Sequence, residues 1–285
     1  MEWLNRMSDA LDYIERHLEE EVGVEEAAQA AYASPFHFQR MFHMVTGMTV
    51  AEYVRRRRLT LAAQELAMSG AKVVDVSFKY GYDSPESFAK AFRKVHGVAP
   101  SEARDPGVRL KAFPRIAFQL SLKGAEAMDY RIVERDAFHV VGKMLHTTCR
   151  DGENLRAIPK FWGQCLSDGT DERLLAIGKG LAMGICLPME VGSEDVAYMI
   201  GVEAAPEAAT DGLTGYAVPA SAWAVFASVG PLPGAIQQTF DRIFQEWFPA
   251  TGYEHAVGPE LEVYADGDTN AEDYRCEVWI PVVKK

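Results

Sequence analysis

Apolar residues in the first 104 positions recur every three to four residues, which is the spacing of an amphipathic helix. Glycines interrupt the pattern at intervals, so it predicts a series of short helices joined by tight turns. One longer helix is predicted from about Val50 to Met68, ending at Ser69-Gly70. The first part of the chain is therefore expected to be entirely helical.

The pattern changes around Asp105-Pro106-Gly107, after which apolar and polar residues alternate as they do in strands. Two segments in this part read as helices, 154–166 and 233–248, and each lies between strand segments. This order predicts an α+β domain built from two related halves. The expected organisation is a domain at 1–106, a linker at 107–111 and a second domain at 112–285. The predicted strands are Ile116–Leu122, Tyr130–Val133, His139–Leu145, Leu181–Leu187, Ala197–Glu203, Trp223–Val229, Leu261–Tyr264 and Tyr274–Val283.

A sequence repeat runs through the helical part. The string SPFHFQRMF at Ser34–Phe42 returns fifty residues later as SPESFAKAF at Ser84–Phe92, and Gly47 and Gly97 occupy matching positions beyond it. Each copy has a serine suited to cap a helix, a proline at the first helical position and a glycine near the end. Two short helices joined by a tight turn are typical of a helix-turn-helix DNA-binding unit, so two such units are predicted.

A helical wheel separates two faces on each Ser-Pro helix. Phe38, Met41 and Phe42 lie on the inner face of the first, and Phe88 and Phe92 hold the same phase in the second. A polar helix face on its own is more often simply solvated. The matched phase of the two copies favours DNA contact, since such side chains can bond to base edges. The predicted DNA-contacting residues are Phe36, His37, Gln39, Arg40 and His43 in the first copy, and Glu86, Ser87, Lys90, Arg93 and Lys94 in the second.

Charge is unevenly distributed along the chain. The net charge is −12, yet residues 40–111 hold 13 basic and 7 acidic side chains. Local charge decides whether phosphates are attracted, so this segment remains suited to DNA. The run Arg55–Arg58 spans all sides of a helix, and only two of its members can face one phosphate strand. Arg55 and Arg57 are the predicted backbone contacts.

Other features of the sequence restrict the kind of protein. Its first residues include several acids, and no apolar stretch approaches 18 residues, which argues against a signal peptide or membrane span and favours a cytoplasmic protein. The four cysteines are far apart and lack histidines at ligand spacing, so they are expected to be reduced thiols rather than zinc ligands. We expect no metal, no cofactor and no membrane partner.

The second domain is rich in aromatic residues, most of which are expected to be core. In the last predicted strand, alternation places Glu277 on the same face as Arg275 and Trp279. A carboxylate among aromatic residues is suited to a cationic ligand, which would supply an ion pair and cation–π contacts. The alternative is that Arg275 neutralises it.

The repeat units resemble the AraC/XylS family of bacterial transcription regulators. The resemblance covers Leu4 to about Arg104 and is carried by AxxxxxSPxxFxRxF in the first unit and GYxSxxxFxxxFxxxxGxxPxxxR in the second. It implies that the two units bind successive major-groove segments of double-stranded DNA. By position it places base contacts on Phe36, Gln39, Arg40, Glu86, Ser87 and Lys90. Because Glu86 departs from the neutral or basic residue often found there, the first unit is expected to carry more of the sequence specificity.

Residues 112–285 resemble the GyrI-like effector-binding module, a domain with two pseudo-symmetric halves around a small-molecule pocket. The resemblance rests on MDYRIVERDAFHVVG, WFPATGYEHAVGPELEVY and the closing YRCEVWIPV. It implies that Glu277 contacts a cationic or amphipathic ligand. The aromatic residues expected at the ligand site are Trp223, Phe226, Tyr264, Phe161, Trp162, Trp247 and Trp279.

Together these features predict a two-domain, non-enzymatic transcription regulator: an all-α double helix-turn-helix domain followed by an α+β GyrI-like domain. Its expected partners are DNA and a small hydrophobic, cationic effector, with RNA polymerase as a further candidate. Two alternatives stay open. One is a hydrolase of small reactive ligands, with Glu277 and Tyr264 as base and acid. The other is an inhibitor that binds a protein, since an acidic domain can mask a basic partner.

Overall fold

The structure is a computed structural model in which residues 2–118, 127–209 and 212–284 are described. The chain forms two compact units. The first comprises Met1–Pro35 and Val50–Leu122, and the second comprises Phe36–Thr49 and Lys123–Lys285. Within the described residues, no helix is both long and apolar enough to cross a membrane.

Helices make up the regular structure described in the N-terminal third. They are α1 (Glu2–Arg16), α2 (Val24–Ala30), α3 (Pro35–Thr46), α4 (Val50–Met68), α5 (Val73–Lys79), α6 (Pro85–His96) and a 3₁₀ turn at Pro100–Arg104. The core of the first unit includes Leu59 and Leu66 of α4, Val76 of α5, and Phe88 and Phe92 of α6. Phe38 and Phe42 of the first repeat copy and Phe88 and Phe92 of the second are buried, as predicted.

The second unit contains an antiparallel sheet with helices. Its strands are β1 (Tyr130–Arg135), β2 (Phe138–Thr148), β3 (Lys179–Cys186), β4 (Asp195–Glu203), β5 (Thr214–Val218), β6 (Ser221–Val229), β7 (Tyr253–His255), β8 (Glu260–Tyr264) and β9 (Arg275–Lys284). Its further helices are α7 (Glu153–Ser167), α8 (Thr170–Ile177), α9 (Gly234–Arg242) and α10 (Phe248–Ala250). A π-helical turn at Ile243–Trp247 joins α9 to α10.

The strand order is β1-β6-β9-β8-β3-β4-β2-β5, with β7 paired to β9. The order reads as two equivalent halves that meet where β8 pairs with β3. From the outside inward, one half has the order β2, β4, β3 and the other has β6, β9, β8. The first strand of each half pairs with the other half: β1 pairs with β6, and β5 pairs with β2. The predicted α+β domain of two related halves is confirmed.

The structure differs from the predicted elements in a few places. Helix α8 and strands β5 and β7 were not predicted, because each is short and its apolar pattern covers little more than one or two periods. The helix expected over 233–248 is interrupted by the π-helical turn. Of the predicted strand Ile116–Leu122, residues 116–118 have no regular structure, and the rest lies outside the described residues.

The two faces of the sheet carry different residues. Alternation puts Ile185, Leu261 and Trp223 in a core on one face. The opposite face carries Tyr198 and Ile200, which pack against Phe161 of α7 and form the helix-covered core. Because the strand period is two, the register assigns each strand residue of the predicted effector site to one face or the other.

Candidate nucleic-acid interface and effector site

The second Ser-Pro helix presents its predicted DNA-contacting face to solvent. Ser84 caps α6 by accepting a hydrogen bond from the backbone N–H of Ser87, Pro85 follows it, and Gly97 ends the helix with φ 80°. A left-handed residue at this point favours glycine, which has no Cβ to clash. Glu86, Ser87, Lys90, Arg93 and Lys94 are all exposed. The helix therefore offers these groups without rearrangement.

Helix α3 belongs to the second compact unit, and the face of it that corresponds to the exposed face of α6 is buried there. The exposed fraction is 6% for Phe36, 4% for His37, 2% for Gln39 and 9% for Arg40. The sequence predicted these side chains to face outward, and that expectation is wrong for this structure. A helical wheel shows which residues share a face, but it does not show whether another element covers that face.

Specific polar contacts hold this face of α3. The Gln39 carboxamide accepts from the backbone N–H of Gly192 (2.6 Å) and donates to the carbonyl of Glu190 (3.3 Å). His37 Nδ1 accepts from the backbone N–H of His255 (3.0 Å). The Phe36 ring lies 5.0 Å from the His255 ring. These contacts satisfy the polar groups that burial removes from water.

Arg40 forms the strongest of these contacts. Its Nε and Nη2 donate to Glu260 Oε1 at 2.8 and 2.6 Å, and Nη2 also contacts Glu260 Oε2. The Nε2 atom of His255 lies 2.8 Å from the same Oε1. Burial alone would raise the pKa of Glu260, but the adjacent Arg40 and His255 lower it to about 2. Glu260 is therefore ionised at neutral pH, as a two-pronged arginine contact requires.

The remaining predicted DNA contacts differ in their surroundings. His43 is half-buried, and burial together with Arg40 lowers its pKa to about 4, so its ring is neutral at pH 7. Arg57 pairs with Glu15 (2.7 and 2.8 Å) and donates to the carbonyl of Phe113 (2.7 Å). The structure thus gives Arg57 a role in holding the first unit together, while Arg55 is half-buried.

The predicted ligand residues do not form one cluster. Trp223, Trp279 and Glu277 belong to one face of the sheet, where the two indole rings meet at 6.1 Å. On the other face are Phe226 and Trp247, whose rings contact at 5.1 Å. Phe161, Trp162 and Tyr264 also belong to this helix-covered face. The register therefore separates Glu277 from Tyr264, and the proposed hydrolytic pair is not brought together.

Glu277 already has an intramolecular partner. Both of its carboxylate oxygens accept from Arg131 Nη2 at 2.9 Å, and Oε2 also accepts from Trp279 Nε1 at 2.9 Å. The Arg131 guanidinium lies 5.9 Å from the Trp279 ring centroid. The pair is partly exposed. The sequence alternative named Arg275 as the residue that neutralises Glu277, whereas in the structure Arg131 forms the ion pair.

A different carboxylate, Glu262 on β8, lies among aromatic side chains of the helix-covered face. Its Oε2 accepts from the Tyr198 hydroxyl (2.5 Å) and the Tyr264 hydroxyl (2.8 Å). Trp162 of α7 donates from Nε1 to the Tyr198 oxygen (2.9 Å). The rings of Trp162 and Tyr264 meet edge to face at 5.0 Å. Among the residues that the structure describes, no arginine or lysine side chain hydrogen-bonds to Glu262, whereas Arg131 bonds to Glu277 and Arg40 bonds to Glu260.

Burial dominates the electrostatics of this cluster. It raises the pKa of Glu262, and the two tyrosine hydroxyls only partly oppose the effect, while the nearby Glu260 adds to it. Burial also raises the pKa values of Tyr198 and Tyr264 well above their ordinary range, so both stay protonated donors. A carboxylate that lacks a cationic partner is suited to receive one from a ligand.

The register at the centre of the sheet makes room for Glu262. Gly184 on β3 lies directly opposite it. A Cβ at position 184 would stand 2.0 Å from the Tyr198 hydroxyl and 2.3 Å from Glu262 Oε2. Only glycine leaves the space that this hydrogen-bonded pair occupies.

Sequence reasoning missed Glu262, although a signal was present. In the strand ELEVY, alternation puts Glu260, Glu262 and Tyr264 on one face, and Tyr264 was already a predicted ligand residue. The role of Tyr198 had no comparable signal, because its approach to Glu262 depends on the order in which β4, β3 and β8 pair.

The fold and these sites define a class of protein: a regulator with helix-turn-helix units followed by a small-molecule-binding domain. Residues 128–283 match the model of the GyrI-like small molecule binding domain, and residues 27–105 match a helix-turn-helix domain model of the AraC type. The chain belongs to the AraC-family transcription regulators and carries a GyrI-like domain at its C-terminal side.

Curated relatives match the helix-turn-helix part. The HTH-type transcriptional activator AarP of Providencia stuartii is 39% identical over 95 residues, which are 33% of this chain and 70% of AarP. The regulatory protein SoxS of Salmonella typhimurium is 34% identical over 94 residues, which are 33% of this chain and 88% of SoxS. The first is named as a transcriptional activator and the second as a regulatory protein.

A solved structure resembles the second part. SAV2435, determined bound to tetraphenylphosphonium, superposes with a TM-score of 0.50 and 24% identity, covering 55% of this chain and 94% of that protein. Similarity at this level shows a shared fold.

Proposed function

We propose that this regulator senses a small lipophilic cation through Glu262 and the aromatic residues around it, and binds DNA through α3 and α6. The observation that carries the proposal is the half-buried carboxylate of Glu262, which is bonded to two tyrosine hydroxyls and lies beside Trp162. A cation there would gain an ion pair and contacts with ring faces at once. The resemblance to SAV2435, a protein solved with tetraphenylphosphonium, supports the choice of ligand class.

Ligand binding would require Trp162 to move. Its ring contacts Tyr264 and its indole N–H bonds to Tyr198, so it occupies the space next to the carboxylate. An aromatic cation can replace both the edge-to-face contact and the shielding of Glu262 from water. The site is thus compatible with bulky, flat-sided cations rather than small hydrated ones.

Calorimetry with tetraphenylphosphonium tests the site. We expect Glu262→Gln to lower the affinity at least tenfold, about 1.4 kcal/mol, because the neutral amide keeps the shape and loses the ion pair. Glu277→Gln provides the matched comparison, since it changes the carboxylate that the sequence predicted. If only Glu277→Gln lowered the affinity, the cation site would lie on the face of the sheet that carries Glu277. Equal affinities for all three proteins would remove both carboxylates from cation recognition.

The pH dependence of cation binding follows from the raised pKa of Glu262. Because burial raises this pKa, the folded chain holds a proton that the unfolded chain has lost, so folding stability falls as pH rises through the interval between the two pKa values. A bound cation favours the ionised form. We therefore expect tetraphenylphosphonium affinity to increase with pH across that interval.

Proton release provides the measurement for this pH effect. Titrations in two buffers of different ionisation enthalpy should show a proton leaving on binding below the pKa of Glu262, and Glu262→Gln should abolish the difference. Glu260 stays ionised throughout, since its pKa is about 2. An affinity that is constant over the whole interval would contradict a role for Glu262.

DNA binding by the individual side chains of α3 and α6 remains a prediction, as does contact with RNA polymerase. The proposal assigns base contacts to Gln39 and Arg40 in α3 and to Ser87 and Lys90 in α6. These are residue types that can hydrogen-bond base edges in the major groove.

A further inference from the structure

Most of the α3 side chains that were predicted to contact DNA are already bound inside the second compact unit. Gln39, Arg40 and His37 each make a hydrogen bond or ion pair to the part of this unit formed by residues 190–192 and 255–260. The equivalent face of α6 is exposed. The two helix-turn-helix units therefore differ in availability, although their sequences repeat.

We infer that the GyrI-like domain masks α3: the carboxylate of Glu260 competes with DNA for Arg40, and the chain must release this helix before both units can bind an operator. The inference concerns how the α3 interface is regulated, and it rests on the proposed function, in which α3 and α6 both contact DNA. We call the contact of Arg40, Glu260 and His255 the α3 clamp.

Arg40 cannot bind Glu260 and DNA at the same time, because both would use the same donor atoms. Arg40 directs Nε and Nη2 at the carboxylate, and these are donors that a two-pronged contact to a guanine edge also requires. A carboxylate and a phosphate or base edge are alternative acceptors for the same planar fork. With Arg40 9% exposed and Gln39 2% exposed, no face of these side chains is left for a groove.

Several contacts define one position of the helix. Arg40 also lies 5.4 Å from the ring centroid of Phe244, and its partner Glu260 is held by His255 on its other side. Gln39 uses both its oxygen and its nitrogen on backbone groups of the 190–192 loop. Such a combination of ionic, aromatic and backbone contacts is specific, unlike a solvated surface pair.

The clamp shares a strand with the proposed effector site. Glu260 and Glu262 are two residues apart on β8, so their side chains leave the same face of the sheet. Cys186 lies opposite Glu260 and Gly184 lies opposite Glu262, on the same neighbouring strand. A change at one carboxylate therefore acts next to the other, which is the arrangement that a ligand-controlled mask requires.

The effect on DNA binding can be stated quantitatively. If only a fraction of molecules has α3 released, the apparent dissociation constant is the intrinsic one divided by that fraction. A clamp closed in nine of ten molecules thus weakens operator binding about tenfold. Weakening the clamp from the side of the effector domain should restore this affinity without altering any DNA-contacting residue.

The experiment uses the full chain and a duplex selected from a random-sequence DNA pool by the unmodified protein at low salt. We expect Glu260→Gln to bind the selected duplex at least tenfold more tightly than the unmodified chain. Glu246→Gln is the matched control: it removes one negative charge from the same domain, at an exposed site that pairs with Arg242, and should leave the affinity within twofold. Equal or weaker binding by Glu260→Gln would overturn the inference.

A second measurement does not depend on any variant. Labelling of arginines with phenylglyoxal, located by mass spectrometry, compares Arg40 with the exposed Arg93 of α6 in the unmodified chain without DNA. The α3 clamp requires Arg40 to react at least tenfold more slowly than Arg93. Comparable rates would show that the helix is not masked in solution and would overturn the inference even if Glu260→Gln failed to fold.

The outcomes separate the mask from the proposed function. Failure of every protein to enrich any duplex would overturn the DNA-binding part of the proposed function. Enrichment of a duplex, with equal affinity in unmodified and Glu260→Gln chains, would overturn the α3 clamp alone. A tenfold gain together with slow labelling of Arg40 supports the mask.

Discussion

Replacing Gly142 with alanine is expected to destabilise the GyrI-like domain by about 3 kcal/mol, the upper end of what overpacking costs. Gly142 of β2 lies directly opposite Gly201 of β4. A Cβ at position 142 would stand 2.3 Å from the carbonyl oxygen of Ile200 and 2.8 Å from the Cα of Gly201. Both are backbone atoms of a paired strand, so the two strands must separate to relieve the contact.

Urea unfolding followed by tryptophan fluorescence measures this effect, because four of the five tryptophans lie in the GyrI-like domain. Gly163→Ala in α7 is the matched control, since an added Cβ there meets nothing within 4 Å. We expect that variant to gain roughly 0.5–1 kcal/mol from helix propensity. An unchanged unfolding midpoint for Gly142→Ala would mean that β2 and β4 are not as closely paired as described.

Removal of the Lys90 side chain is expected to weaken binding to the selected duplex by about 1–3 kcal/mol. Lys90 lies on the exposed face of α6, between Glu86 and Arg93, and this face is available without rearrangement. When α3 is masked, α6 is still available to contact DNA. Loss of the Lys90 side chain should therefore weaken DNA binding by both the masked and the released protein. Fluorescence anisotropy at several salt concentrations, on selected and unrelated duplexes, measures the change.

Salt and sequence dependence decide which role Lys90 has. A base contact lowers affinity for the selected duplex more than for an unrelated one, whereas a phosphate contact lowers both equally and reduces the salt slope by about 1. Lys72→Ala removes the same charge from an exposed position outside α6 and serves as the control. Equal affinity of Lys90→Ala and the unmodified chain for the selected duplex would exclude Lys90 from the interface.

Sequence pattern predicted the fold class because each long element carries several periods of its own signal. The Ser-Pro helices show this: a capping serine, a proline and a closing glycine marked both ends of α6. The exchange of β1 and β5 between the halves was beyond such reasoning, since strand order depends on contacts between residues far apart in sequence.

The candidate sites were predicted less completely than the fold. A wheel correctly placed Phe38 and Phe42 in a core, but it could not show that Arg40 on the other face would meet Glu260, 220 residues away. Likewise, alternation could place Glu277 beside Trp279, but it could not show that Arg131 pairs with the Glu277 carboxylate. Both misjudgements concern the partner of a charged side chain, which is set by tertiary structure rather than by local pattern.

The glycine at position 184 makes the two halves of the sheet chemically different where they meet. Duplicated halves that meet at a two-fold axis would ordinarily offer two equivalent binding sites. Here Glu262 on β8 lies directly opposite Gly184 on β3, so one half supplies an acid and the other supplies the space beside it. The chemical symmetry of the two halves therefore ends where β8 pairs with β3, and the proposed function predicts one cation at this place rather than two.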